Sequence, residues 1–206
     1  MRGKSEEFVF DQEEYINENN PRISNGYELI FCKEINLSVI YENENTEKML
    51  ILIHIYSKQT ESEKEFLVEF FNDEDIKFMF SSVINPSVFR SLGLKIAFEE
   101  FGASLIQLLE QTMTESNLVV SFKVSGENAE LVFSQKLKLR VAELFSLNFQ
   151  SATQQDIVEF TQYRYKLFLL EVINMNESLS KILSKIDAKN PSLGDHLRKH
   201  MKNYSK

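Results

Sequence analysis

At 206 residues, with 43% hydrophobic and 26% charged side chains, the chain can form one compact domain that buries roughly 70% of its unfolded surface, with length left for an appendage. Six Gly and three Pro against 17 Phe exclude a low-complexity or collagen-like chain, while a net charge of -8 and scattered Lys and Arg argue against nucleic acid as a partner. The single cysteine, Cys32, cannot close an intramolecular disulfide, and no Cys/His cluster has zinc-ligand spacing, so neither metal nor cofactor is expected and a reducing cytoplasm fits.

Residues 1–25 are rich in Glu, Asn and Asp, have no apolar period and read as a mobile arm. They contain no apolar signal region, and the longest apolar run, MLILIHIY from Met49 to Tyr56, is too short to span a bilayer. A chain that is neither secreted nor transmembrane, with no membrane partner, is expected.

Periodicity begins at Ile35. Ile35, Leu37, Val39 and Tyr41 alternate with Asn36, Ser38 and Ile40, the period of a half-buried strand. KMLILIHIYS, apolar on both faces, reads as a central strand between the polar turns ENENTE and KQTESEKE. FLVEFF follows, then NDED at Asn72 to Asp75, then IKFMFSSVI. NDED lacks the twelve-residue loop and terminal Glu of an EF-hand, so a turn is the better reading than a calcium site.

NPSVFRSLG predicts a short helix with Asn85 as N-cap, Pro86 at its first position and Gly93 as its stop. FEEFGASLIQLLEQTM places Phe98, Phe101, Leu105, Leu108 and Leu109 on one helical face, with a strand expected between the two helices. Leu118, Val120, Phe122 and Val124 then alternate, SGEN turns and AELVF returns as a hairpin, and Glu143 to Phe149 makes the last strand.

After Phe149 the period becomes helical. Thr153 with Asp156 three residues on resembles a capping box, and no Gly or Pro follows until Pro191, which allows about nine turns. Phe168, Val172, Met175, Leu179, Ile182 and Ile186 recur at alternating spacings of four and three, a heptad seam fit for self-pairing. The alternative is one face of a helix lying back on the strands. Asn174, Asn176, Glu177, Ser178, Ser180, Lys181 and Lys185 keep the other faces polar, as an exposed stalk requires.

Chemistry is sparse. The chain has no phosphate-binding glycine loop, no nucleophile elbow and no paired zinc-protease histidines, so it reads as non-enzymatic. His196 and His200 lie four apart without a third ligand and read as a solvated helix face. His54 reads as a hydrogen-bonded core or edge histidine, and Cys32 as a small buried strand residue lacking a neighbour to activate it.

The block FMFSSVINPSVFRSL followed by GLKIAFEEFGASLIQLLEQ resembles the head domain of the spindle assembly abnormal six family of centriolar cartwheel proteins. Phe89, Leu92, Gly93, Phe98, Phe101, Ile106, Leu108 and Leu109 fall in matching places. The resemblance resumes at AELVFSQKLKLRVAELFSLNF and covers residues 27–170 or so. It implies a seven-stranded antiparallel β-sandwich head with a helix–turn–helix insert, followed by a C-terminal helix in a parallel coiled coil. It also implies heads that pair through an apolar loop tip, usually Phe, into ninefold rings. An ungapped match puts Leu139 at that tip, with Lys138 and Arg140 beside it and Leu137 next in line. Leu for Phe, and a shorter connector after Leu92, depart from the family pattern.

The domain reading is an arm at 1–25, a head at 26–150, a short parallel coiled coil at 151–189 and a polar tail at 190–206. The seam's end at Ile186 and Pro191 suggests either a truncated cartwheel protein or, the favoured reading, the family's short paralogue. The function implied is a cytoskeletal scaffold of centriole, basal body or a related flagellar or apical structure. Its expected partners are itself and other centriolar or basal-body proteins. A DNA end-joining scaffold of the same fold needs a basic surface that the acidic balance opposes, and a microtubule-binding centrosomal member needs a basic coil.

Overall fold

The computed structural model of the protein describes residues 20–60 and 63–203, with side chains as far as Leu197. Two compact units emerge: one spans Asn17–Thr161, and the other includes Gln162–Lys206. The boundary falls inside the long C-terminal helix, later than residue 150, so the first turns of that helix belong to the head.

The first unit holds a helical turn α1 (Pro21–Ser24) and strands β1 (Glu28–Tyr41), β2 (Thr46–Gln59), β3 (Lys64–Phe71) and β4 (Met79–Ile84). Helices α2 (Pro86–Ser91) and α3 (Phe101–Thr114) come next, then β5 (Leu118–Ser125), β6 (Asn128–Lys136) and β7 (Val141–Ser151). Helix α4 (Gln154–Lys189) begins in this unit and continues into the second, which also contains α5 (Pro191–Asn203).

Among the described residues seven strands close into a barrel in the order β1-β2-β3-β4-β7-β6-β5, in place of the expected sandwich. The closing pair β1–β5 is parallel, so the sheet is not wholly antiparallel. That pair spans only Ser38–Tyr41 against Ser121–Val124. Helix α3 fills the gap where the strands diverge, burying Phe101, Leu105 and Leu109 in the barrel core, with Glu110 reaching Lys33 of β1 at 3.4 Å.

Inward residues alternate as the period predicts: Ile35, Leu37 and Val39 on β1, and Ile51, Ile53 and Ile55 on β2. Phe70 stands 4.9 Å from Phe122 and 4.8 Å from Phe149 between ring centroids, an aromatic centre drawn from β3, β5 and β7. Each such fully buried side chain contributes roughly 1.5–3 kcal/mol.

Local signals performed as their chemistry dictates. The Asn85 side chain accepts the amides of Ser87 and Val88 at 3.0 and 2.9 Å, and Gly93 takes a φ of 65° that a side chain would resist. Asn72 accepts the amides of Glu74 and Asp75, so NDED is a turn.

Four expectations need correction. No strand lies between α2 and α3; the chain turns through Leu94–Ala97 into a 3-10 turn at Phe98–Glu100, because a closed barrel offers no free edge there. Cys32 is exposed, because it lies three residues before inward-facing Ile35 in an unbroken register and so falls on the opposite face of β1. Residues 20–25 are no arm: Asn20 is buried and caps α1 through the Arg22 amide at 2.8 Å. Residues 1–19 of the expected arm lie outside the described residues. Finally, 190–206 is not simply a polar tail, because Pro191 opens a new helix, where its missing N–H costs nothing.

Candidate functional site: a loop tip, a helix seam and a clamped helix root

The β6–β7 hairpin ends in a tight turn, with the Leu137 amide donating to the Arg140 carbonyl at 2.8 Å. This leaves Lys138 and Leu139 at the two central positions. Leu139 is 99% exposed, and Leu137, Lys138, Arg140, Val141 and Leu144 are exposed around it. At the hairpin's base the Phe133 and Phe145 rings stack at 4.8 Å, beside the irregularity between Phe133 and Ser134. An apolar side chain held wholly in water on a braced hairpin has no packing role in its own head.

At the same end of the barrel lies a cleft of about 470 Å³. Ile35, Leu37, Met113, Leu118 and Val120 line it, with Glu34 and Lys48 at its margin. Pairing puts it near the tip: Leu118 sits opposite Gln135, and the Lys136 amide reaches the Asn117 carbonyl at 2.7 Å.

The long helix starts on a Thr153 cap. Its hydroxyl donates to Asp156 Oδ2 at 2.5 Å and accepts the Asp156 amide at 3.2 Å. In the second unit, Phe168 is 60% and Met175 58% exposed, Leu179 and Ile182 are exposed, and Val172 and Ile186 are half-buried. Exposed Leu169 and Ile173 widen this apolar face. Asn190 then receives the Leu193 amide on its side chain at 3.2 Å, and a largely apolar hollow of about 500 Å³ forms among Ile182, Ile186 and Leu193. His196 lies on α5, and the His200 side chain is outside the described residues.

The sequence reading missed a polar cluster on the outer face of β2 and β3. His54 is buried, with Nδ1 3.0 Å from the Tyr56 hydroxyl, and its ring meets Phe71 and Phe160 edge-on. Phe160 stacks on Phe71 at 3.9 Å. Arg22 bridges buried Glu69 of β3 and Asp156 of α4. Burial pushes the Glu69 carboxyl above its ordinary range despite Arg22. At Asp156 burial also pushes upward, but hydrogen bonds from Thr153 and Arg22 outweigh it and hold the group below its usual range. Two signals were available: β2 was apolar on both faces, and FLVEFF carried a lone carboxylate. Both mark an outer surface that something must cover.

Among the described residues, no group of three or more His, Cys, Asp or Glu could hold a metal ion, and no helix is long and apolar enough to cross a membrane.

A family model described as the centriolar protein SAS N-terminal domain matches residues 29–149. Among solved structures, a Leishmania SAS-6 N-terminal fragment containing parts of its coiled coil is similar at a TM-score of 0.71 and 14% identity, covering 81% of this chain and 98% of that one. A Drosophila melanogaster Sas-6 N-terminal fragment dimerised via its coiled-coil domain has a TM-score of 0.68 at 12% identity, covering 88% of this chain and 95% of that one. An N-terminal coiled-coil dimer of C. elegans SAS-6 has a TM-score of 0.58 at 16% identity, covering 74% and 94%. At such identities these structures speak for the fold alone. No curated protein sequence matches the chain significantly.

Proposed function

This chain belongs to the centriolar SAS N-terminal domain family, and on that premise we propose that it is a self-assembling scaffold of a centriole, a basal body or a related flagellar or apical structure. It acts in the cytoplasm as part of the cytoskeleton, with itself and other centriolar or basal-body proteins as partners. No catalysis enters this reading.

The observation that carries it is Leu139, 99% exposed on a braced turn at the same barrel end as a cleft lined by both apolar and polar side chains. A knob and a hole on one end of one head let two heads meet about a two-fold axis, each supplying Leu139 to the other's cleft. Burying one leucine contributes roughly 1.5–3 kcal/mol, enough only for a weak contact.

The helix supplies the second attachment. Phe168, Val172, Met175, Leu179, Ile182 and Ile186 form one apolar line suited to a second copy, as a parallel coiled coil. Joined this way, heads gain a high local concentration, and weak tip contacts add into an assembly.

Analytical ultracentrifugation of the whole chain across a concentration series, followed by electron microscopy of the largest species, tests the reading. Dimers that build into closed or stacked particles are expected. A chain that remains monomeric at high concentration, or that co-pellets with DNA or microtubules while staying unassembled, overturns it.

A further inference from the structure

One guanidinium serves two carboxylates on the outer face of the barrel. Arg22 Nε donates to Glu69 Oε1 at 2.8 Å, and a terminal nitrogen reaches that same oxygen at 2.7 Å and Asp156 Oδ1 at 3.0 Å. The Glu69 side chain is 0% exposed, and its other oxygen, Oε2, is buried without a hydrogen-bond partner among the described residues. Arg22 stands on α1, which is pinned to β2 by the Asn20 amide group donating to the Tyr56 hydroxyl at 3.2 Å. Asp156 lies in the first turn of α4, where it also receives the Thr153 hydroxyl. The three charges therefore come from three elements distant in sequence.

We propose that residues 20–25 are a strap, and that Arg22 is a latch that seats the root of α4, Gln154–Thr161, on β2 and β3 and whose withdrawal drives the root off by repulsion. With the cation in place the triad is negative, positive, negative. Without it, the buried Glu69 carboxylate and the partly exposed Asp156 carboxylate face each other with no cation between them. Other titratable groups on this face are His54, Tyr56 and Lys58 of β2, Glu65 of β3 and Tyr27, whose hydroxyl donates to Glu65 at 2.7 Å, and the Tyr56 hydroxyl is engaged by both Asn20 and His54. The stack of Phe160 on Phe71 favours the seated root in either case, so the charges act on top of a packing preference already in place. Anything that grips the strap and draws Arg22 away would thus loosen the root of the helix. This device resides in the head alone and stands or falls independently of assembly.

Hydrogen exchange on the full chain tests it. Arg22→Met keeps the side-chain bulk and removes the charge, and amides of Ile157–Thr161 should exchange about tenfold faster or more, while β5 and β6 amides keep their rates. Adding Glu69→Gln to Arg22→Met removes the repulsion and should restore most of the lost protection. A latch that acts only by packing gives no such rescue. Unchanged exchange in Arg22→Met, or equal exchange in the single and double variants, overturns the proposal. Should Arg22→Met fail to fold, Arg22→Lys, which keeps the charge with fewer donors, provides the same comparison: protection between wild type and fully exposed root is expected, and wild-type protection with Glu69→Gln making no difference overturns it.

Discussion

Gly102 and Phe66 occupy what would otherwise be the same space: a methyl group on Gly102 would lie 2.5 Å from Cε1 of the Phe66 ring. The absent side chain is what lets α3 settle on β3. Phe66 in turn meets Phe98 and Phe101 edge-on at 5.4 and 5.7 Å, so this contact seats the helical insert in the barrel.

Gly102→Ala should therefore destabilise the head, even though alanine is the better helix former. The gain of about 1 kcal/mol in propensity is opposed by about 1–3 kcal/mol of overpacking against a ring that is itself enclosed. Urea unfolding should show a lower midpoint with an unchanged slope, and a raised midpoint would mean that Phe66 yields freely.

Asn85 caps α2 with two hydrogen bonds from its side chain. Asn85→Ala should cost about 1 kcal/mol, and Asn85→Asp should retain most of the stability because a carboxylate accepts the same two amides. Equal losses in the two variants, read by thermal melting, would show that the cap contributes nothing specific.

Leu139→Glu should leave the melting temperature of the chain unchanged, because the side chain touches water and little else. Higher oligomers should disappear while helix-mediated dimers persist. Sedimentation and melting on one sample separate the outcomes: a destabilised head with undiminished assembly would show that Leu139 serves its own fold.

Leu179→Asp combined with Ile182→Asp places charge in the middle of the helix seam. Light scattering should then report monomers in place of dimers, with the melting of the barrel unaffected, since both residues lie in the other compact unit. An unchanged mass would remove the seam from the account.

Near neighbours in the chain made most of this protein legible. Alternation over a few residues locates the strands, and Asn85, Pro86 and Gly93 punctuate α2 in the sequence itself, because an orphan amide or a positive φ is satisfied within a turn. The Thr153 cap was readable for the same reason. Leu139 was found by family resemblance, and its exposure then followed from a turn only four residues long.

Contacts between distant residues were not legible in this way. Nothing local to β1 or β5 announces that Ser38–Tyr41 will meet Ser121–Val124 and close a barrel, because pairing depends on how twisted strands approach after the core has packed. Arg22, Glu69 and Asp156 lie 47 and 134 residues apart along the chain when measured from Arg22. Arg22 and Asp156 alone read as ordinary surface charges, and the Glu69 of FLVEFF marks a covered surface without naming its cover. Only the fold that buries Glu69 makes its counter-charge a necessity, since an ion removed from water must find its partner in space and sequence carries no local mark of which one it will be.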